Sequence, residues 1–111
     1  MKTFTDDEIN ALLLTAKPYS IVIVKSGPNF TDDTALALSW EHNRRNFGLR
    51  ADGRLAVVLR VMDDSDVYGV EVFDATVEDT IAVMNDDPGV QAGVLTYEVH
   101  LGRGFPGDSL P

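Results

Sequence analysis

RLAVVLRVMDDSDVYGVEVFD, residues 54–74, contains two β-branched runs, 54–62 and 66–74, on either side of a polar turn at Asp63-Asp64-Ser65. Runs of that length and composition read as strands, and so short a turn between them predicts an antiparallel hairpin. What flanks the hairpin sets the fold. Upstream, YSIVIVKS at 19–26 is a strand closed by Gly27-Pro28-Asn29, and a long helix follows from Thr31-Asp32-Asp33 to Asp52-Gly53. Downstream, Thr76 and Asp79 resemble a capping box for a second helix whose inner face is Val77, Thr80, Ile81 and Met84, and a last strand over 92–101 alternates Leu95, Tyr97, Val99 and Leu101 with polar residues. The order is βαββαβ, the split pattern of ferredoxin-like domains, with an antiparallel four-stranded sheet and helices on one face.

Ahead of this pattern, Thr5-Asp6-Asp7-Glu8 forms a capping box and Ile9, Leu12, Leu13 and Ala16 make one helical stripe, so an extra N-terminal helix is expected before Pro18. The long helix has two apolar stripes, Leu36, Trp40, Phe47 and Ala51 on one side and Ala35, Leu38, His42 and Leu49 nearly opposite. Such a helix needs two neighbours. The sheet is one, and the N-terminal helix is the candidate for the other. The apolar runs at 19–24 and 55–62 imply that the open sheet face is also covered, most simply by a second copy of the chain.

With 111 residues there is room for one core, and a hydrophobic fraction of 44% suits a water-soluble domain. The formal charge of -9, with no basic cluster longer than Arg44-Arg45, disfavours nucleic acid and anionic membranes as partners. Cysteine is absent, so any metal site would have to be built from His and carboxylates, and no HxH or HxxxH spacing concentrates them. MKTFTDDEIN has no apolar run behind a basic region, which argues against a signal peptide and makes the cytoplasm the expected location. A serine-nucleophile elbow and a phosphate-cradling glycine loop are both missing.

Four Asp-Asp pairs begin at 6, 32, 63 and 86, each at an element boundary. Caps and turns account for the first three. Asp87 differs because Pro88 follows it: Asp before Pro is the N-cap and first position of a new helical turn, and a carboxylate held by backbone amides stays fixed in direction. The two histidines offer it partners. His100 falls on the polar face of the last strand, while His42 sits among apolar neighbours mid-helix. Two readings stay open for His42: a satisfied, half-buried imidazole, or an acid–base group oriented by Asp87.

EHNRRNFGLRADGRL at 41–55, then a hairpin, a helix and DDPGVQAGVLTYEVH at 86–100, resembles the YciI-like (YCII-related domain) family over about residues 19–101. The resemblance divides residues 1–111 into a single YciI-like domain with an N-terminal helix over about 5–16, a core over about 19–101 and a tail over 102–111. It implies a ferredoxin-like fold that dimerises as an α+β barrel, and a His-Asp active-site pair carried onto His42 and Asp87. It further implies lyase-type elimination on a small ring compound, without a cofactor or metal. Gly89 departs from the family, which usually has a bulky residue there, so a more open pocket wall is expected. The expected pocket lies between the long helix and the Asp87 turn, closed by the tail around Phe105-Pro106-Gly107. The alternative to a small enzyme is a non-catalytic dimeric binding or accessory module. Cofactorless monooxygenases and isomerases follow only by analogy of fold.

Overall fold

The computed structural model describes residues 1–111. Its elements run α1 (Asp6–Leu13), β1 (Lys17–Ser26), α2 (Asp32–Ala51), β2 (Leu55–Arg60), β3 (Val67–Phe73), α3 (Val77–Asn85), α4 (Pro88–Gln91) and β4 (Leu95–Gly104). The strands form one antiparallel sheet in the order β2-β3-β1-β4, the ferredoxin-like arrangement that the sequence predicts. No helix is long and apolar enough to cross a membrane.

Local chemistry sets the helix boundaries. Thr5 and Glu8 close a reciprocal capping box on α1, and Thr31 and Thr34 do the same on α2. At the far end of α2, Gly53 takes φ +77°, which lets its amide and that of Arg54 reach back to the carbonyls of Arg50 and Leu49. β4 begins later and runs further than its alternation suggests. Gly102, Arg103 and Gly104 have no side-chain period, but their backbones pair with Tyr19, Pro18 and Lys17.

α2, α3 and α4 pack on one sheet face over a core of Val22, Val24, Leu49, Leu55, Phe73, Met84, Val94 and Leu95. The burial of β3 alternates, so Gly69, Glu71 and Phe73 point toward the helices. Near its start Lys25 pairs with Val67 and Val24 with Gly69, leaving Tyr68 as the extra residue of a bulge. That irregularity packs Tyr68 against the core although it lies next to inward-facing Gly69.

The opposite face carries Tyr19, Ile21 and Ile23 on β1, Val70 and Val72 on β3 and Val57 on β2, all half-buried within the chain. The tail after β4 lies on this side, where Phe105, Gly107 and Asp108 join Tyr19, Ile21, Val57 and Val72 around an open concavity of about 370 Å³. The tail therefore does not close a pocket beside α2. It leaves β4 on the far face of the sheet.

α1 does not cover the second stripe of α2. None of its residues is buried, and Leu36, Trp40 and Phe47 stay 78%, 68% and 60% exposed. The reason is reach. The residues between α1 and β1 are coiled by backbone bonds from Leu14, Thr15 and Ala16 to Asn10, Leu12 and Leu13, which keeps α1 beside the start of β1.

Candidate functional site

The buried side of α2 is built from His42, Asn46 and Leu49, spaced by four and three residues. Two of these three are polar, and they lie over Glu71, the one acid on the inward face of β3. His42 is 3% exposed, Glu71 1% and Asp87 0%. Groups so thoroughly removed from water are tolerated only when they pair with one another.

Asp87 reaches the cluster from the N-cap of α4. Its Oδ1 accepts from the amide of Gly89 at 2.8 Å, with the amide of Val90 at 3.4 Å, and Pro88 occupies the first helical position. With one oxygen fixed by the cap, the other is aimed. Oδ2 accepts from His42 Nδ1 at 2.7 Å. Arg45 comes from the next turn of α2, donating from Nη2 to the carbonyl of Val83 at 2.6 Å and placing Nη1 3.6 Å from Asp87 Oδ2. On the other side of the ring, His42 Nε2 is 3.3 Å from Glu71 Oε1, which also accepts from Asn46 Nδ2 at 2.8 Å. The second oxygen, Glu71 Oε2, is buried without a partner.

The two residues singled out from the sequence thus meet. Glu71, Asn46 and Arg45 belong to the same cluster and were not anticipated. A signal existed for Glu71: in VYGVEVF it occupies the position that shares a face with Phe73 and Gly69, where alternation calls for an apolar residue. His100 is elsewhere, exposed on β4 and 3.3 Å from Glu98. No group of three His, Asp or Glu is arranged to hold a metal ion.

Burial alone would push the His42 imidazole down, but the bonds to Asp87 and then to Glu71, reinforced by their charges, outweigh it and raise the pKa from 6.5 to about 9. Asp87 is shifted the other way. Burial opposes ionisation, and the bond and charge of His42, the Gly89 amide and the Arg45 guanidinium together hold it below its ordinary 3.8. The bond to Asp87 thus favours the protonated imidazole, with Nδ1–H donating to Asp87 Oδ2, while Nε2 stands 3.1 Å from Asn46 Nδ2 and 3.3 Å from Glu71 Oε1.

His42 and Asp87 line none of the principal cavities. The Tyr68 ring stands edge-on to His42, with centroids 6.2 Å apart. Beyond Tyr68 an open groove of about 330 Å³ is bordered by Phe30, Arg60, Met62 and Asp66. Gly89 does not open the pocket wall, because a Cβ there would lie 2.9 Å from Leu95 Cδ1 and 3.1 Å from Asp87 Oδ1. A side chain there would press on Leu95 and crowd the carboxylate.

No family model matches the chain, and no curated protein matches it. Among solved structures it is similar to the 5-chloro-2-hydroxyhydroquinone dehydrochlorinase of Burkholderia phenoliruptrix AC1100 in complex with 2,5-dihydroxybenzoquinone. The TM-score is 0.57 and the identity 18%, over 76% of this chain and 91% of that one. What the two share is the fold. The likeness agrees with the α+β, ferredoxin-like architecture anticipated from the sequence.

The shifts make stability depend on pH with a definite sign. His42 is raised in the folded state, so its contribution is full below about pH 6.5 and lost as pH rises through about 9, an effect on the order of 3 kcal/mol. Asp87 is depressed, so its contribution is present above its ordinary 3.8 and lost as pH falls through its folded value. Urea midpoints measured across this range should fall on the alkaline side in the parent and stay nearly level there in His42→Gln. A parent protein that gains stability between about pH 7 and pH 9.5 would contradict the assignment.

Proposed function

We propose that the chain is a YciI-like, cofactor-independent enzyme, active as a homodimer, that uses His42 and Asp87 for acid–base chemistry of the elimination type on a small ring compound. The observation that carries this reading is the 2.7 Å bond from a buried imidazole to a carboxylate already aimed by its own helix cap. A rigid charged pair in a site removed from bulk water is what acid catalysis needs, because the proton sits at a defined atom and little reorganisation follows its transfer. With a pKa of about 9, His42 rests protonated, so its first role is that of the acid. It gives its proton to the departing group, which leaves as HX with the bonding pair. The neutral imidazole takes the ring proton whose bonding pair forms the new double bond, so His42 ends as it began while Asp87 orients the imidazole throughout. Tyr68 separates His42 from the groove that adjoins it, so a substrate reaches the imidazolium when that ring moves aside.

A second reading has its own support. Both nitrogens of His42 face carboxylates, and the imidazole opens onto no principal cavity, as expected of a structural ion cluster in a dimeric binding module. The dehydrochlorinase that shares the fold supplies the probe that separates the two. Chloride release from a chlorinated hydroxyhydroquinone, and binding of 2,5-dihydroxybenzoquinone, should both occur, and His42→Gln should lower turnover by about 100-fold or more. Turnover by His42→Gln at the parental rate, or ring compounds that leave the His42 resonances unmoved, would favour the structural reading.

The apolar sheet face supports the homodimer, since Tyr19, Ile21, Val57 and Val72 lie together on one side and burying them against a second copy removes them from water. Sedimentation at micromolar concentration should give twice the chain mass or a multiple of that. A clean monomer would contradict it.

A further inference from the structure

Two apolar helix faces remain without partners. On α1, Ile9, Leu12 and Leu13 fall on one side and are 43%, 48% and 52% exposed. On α2, Leu36, Trp40 and Phe47 form a stripe on the side away from His42, Asn46 and Leu49. Isolated helices of eight residues are marginal in water, so α1 gains from lying against something.

We propose that α1 of one copy docks along the outer face of α2 of a second copy, Ile9, Leu12 and Leu13 packing against Leu36, Trp40 and Phe47. Charge complements shape. Asp6, Asp7 and Glu8 crowd the first turn of α1, while Arg44 and Arg50 flank the C-terminal half of the α2 stripe, Asp32 and Asp33 lying at its other end beside Leu36. Arg44 is paired only with exposed Glu41, at 3.4 Å, and Arg50 with no acid. These two arginines are the basic side chains beside that stripe, and they offset part of the repulsion between copies that each carry a formal charge of -9.

The coiled link holds α1 away from the chain's own α2, and none of its residues is buried there. Three residues, Leu14 to Ala16, join α1 to β1; even pulled straight they span only about 10 Å. The outer face of α2 lies beyond a full helix diameter of about 10–12 Å in addition to the gap between helix and sheet. A second copy has no such tether. Reciprocal docking forms the contact twice, as two-fold association requires.

The chain has no cysteine and one tryptophan, Trp40, in the proposed contact. Leu13→Cys and Trp40→Cys variants, mixed and oxidised, should cross-link between copies. The double variant should give intermolecular rather than intrachain bridges. Trp40 emission should move to shorter wavelength as concentration rises and stay at the exposed position in Leu12→Asp, whose side chain is buried in no core. Absence of the mixed cross-link, an intrachain bridge, or exposed-indole emission at all concentrations would overturn the proposal. Each of these outcomes leaves the sheet-face dimer standing, because sedimentation of Leu12→Asp reads that interface alone.

Discussion

The bond from His42 Nδ1 to Asp87 Oδ2 is the constraint on which the interior depends. It joins the middle of α2 to the start of α4, and so fixes where the chain turns after α3 and how it enters β4. Asp87 performs two tasks with two oxygens. Oδ1 caps a one-turn helix and Oδ2 holds an imidazolium, which places a charged pair where the rest of the inner face offers Val22, Phe73 and Leu95. Removing either partner leaves a buried charge with only part of its compensation, Arg45 and the Gly89 amide for Asp87 or Glu71 for His42, the costly half of the buried-pair asymmetry.

Glu71 turns the pair into a network. Without it, one face of the imidazolium would meet apolar core. With it, a carboxylate stands 3.3 Å from Nε2, and Asn46, which touches both Nε2 and Glu71 Oε1, ties that acid back to α2. The cost is visible in the unpartnered Glu71 oxygen.

Much of this was legible in the sequence because it is local. The hairpin at 54–74 follows from two β-branched runs and a short turn, and Asp87-Pro88 announces its helix start. His42 fell on the stripe with Leu49 that the structure buries. Glu71 was harder to see because it is an inward acid on a strand whose alternation otherwise looks ordinary, and its partner is 25 residues away. The path of the tail and the isolation of α1 were not legible at all. They are set by which sheet face β4 leaves and by a coiled three-residue link, and neither has a period or composition to read. The resemblance named the His42–Asp87 pair before geometry did, whereas periodicity alone left His42 between two readings.

The central claim is that Asp87 keeps His42 charged inside the protein. Titrating the His42 imidazole by NMR in the parent and in Asp87→Asn tests it most directly. The parental His42 midpoint should lie near 9, falling toward or below 6.5 once the Asp87 charge is gone. A His42 midpoint near 6.5 in the parent, or one that Asp87→Asn leaves in place, would contradict it.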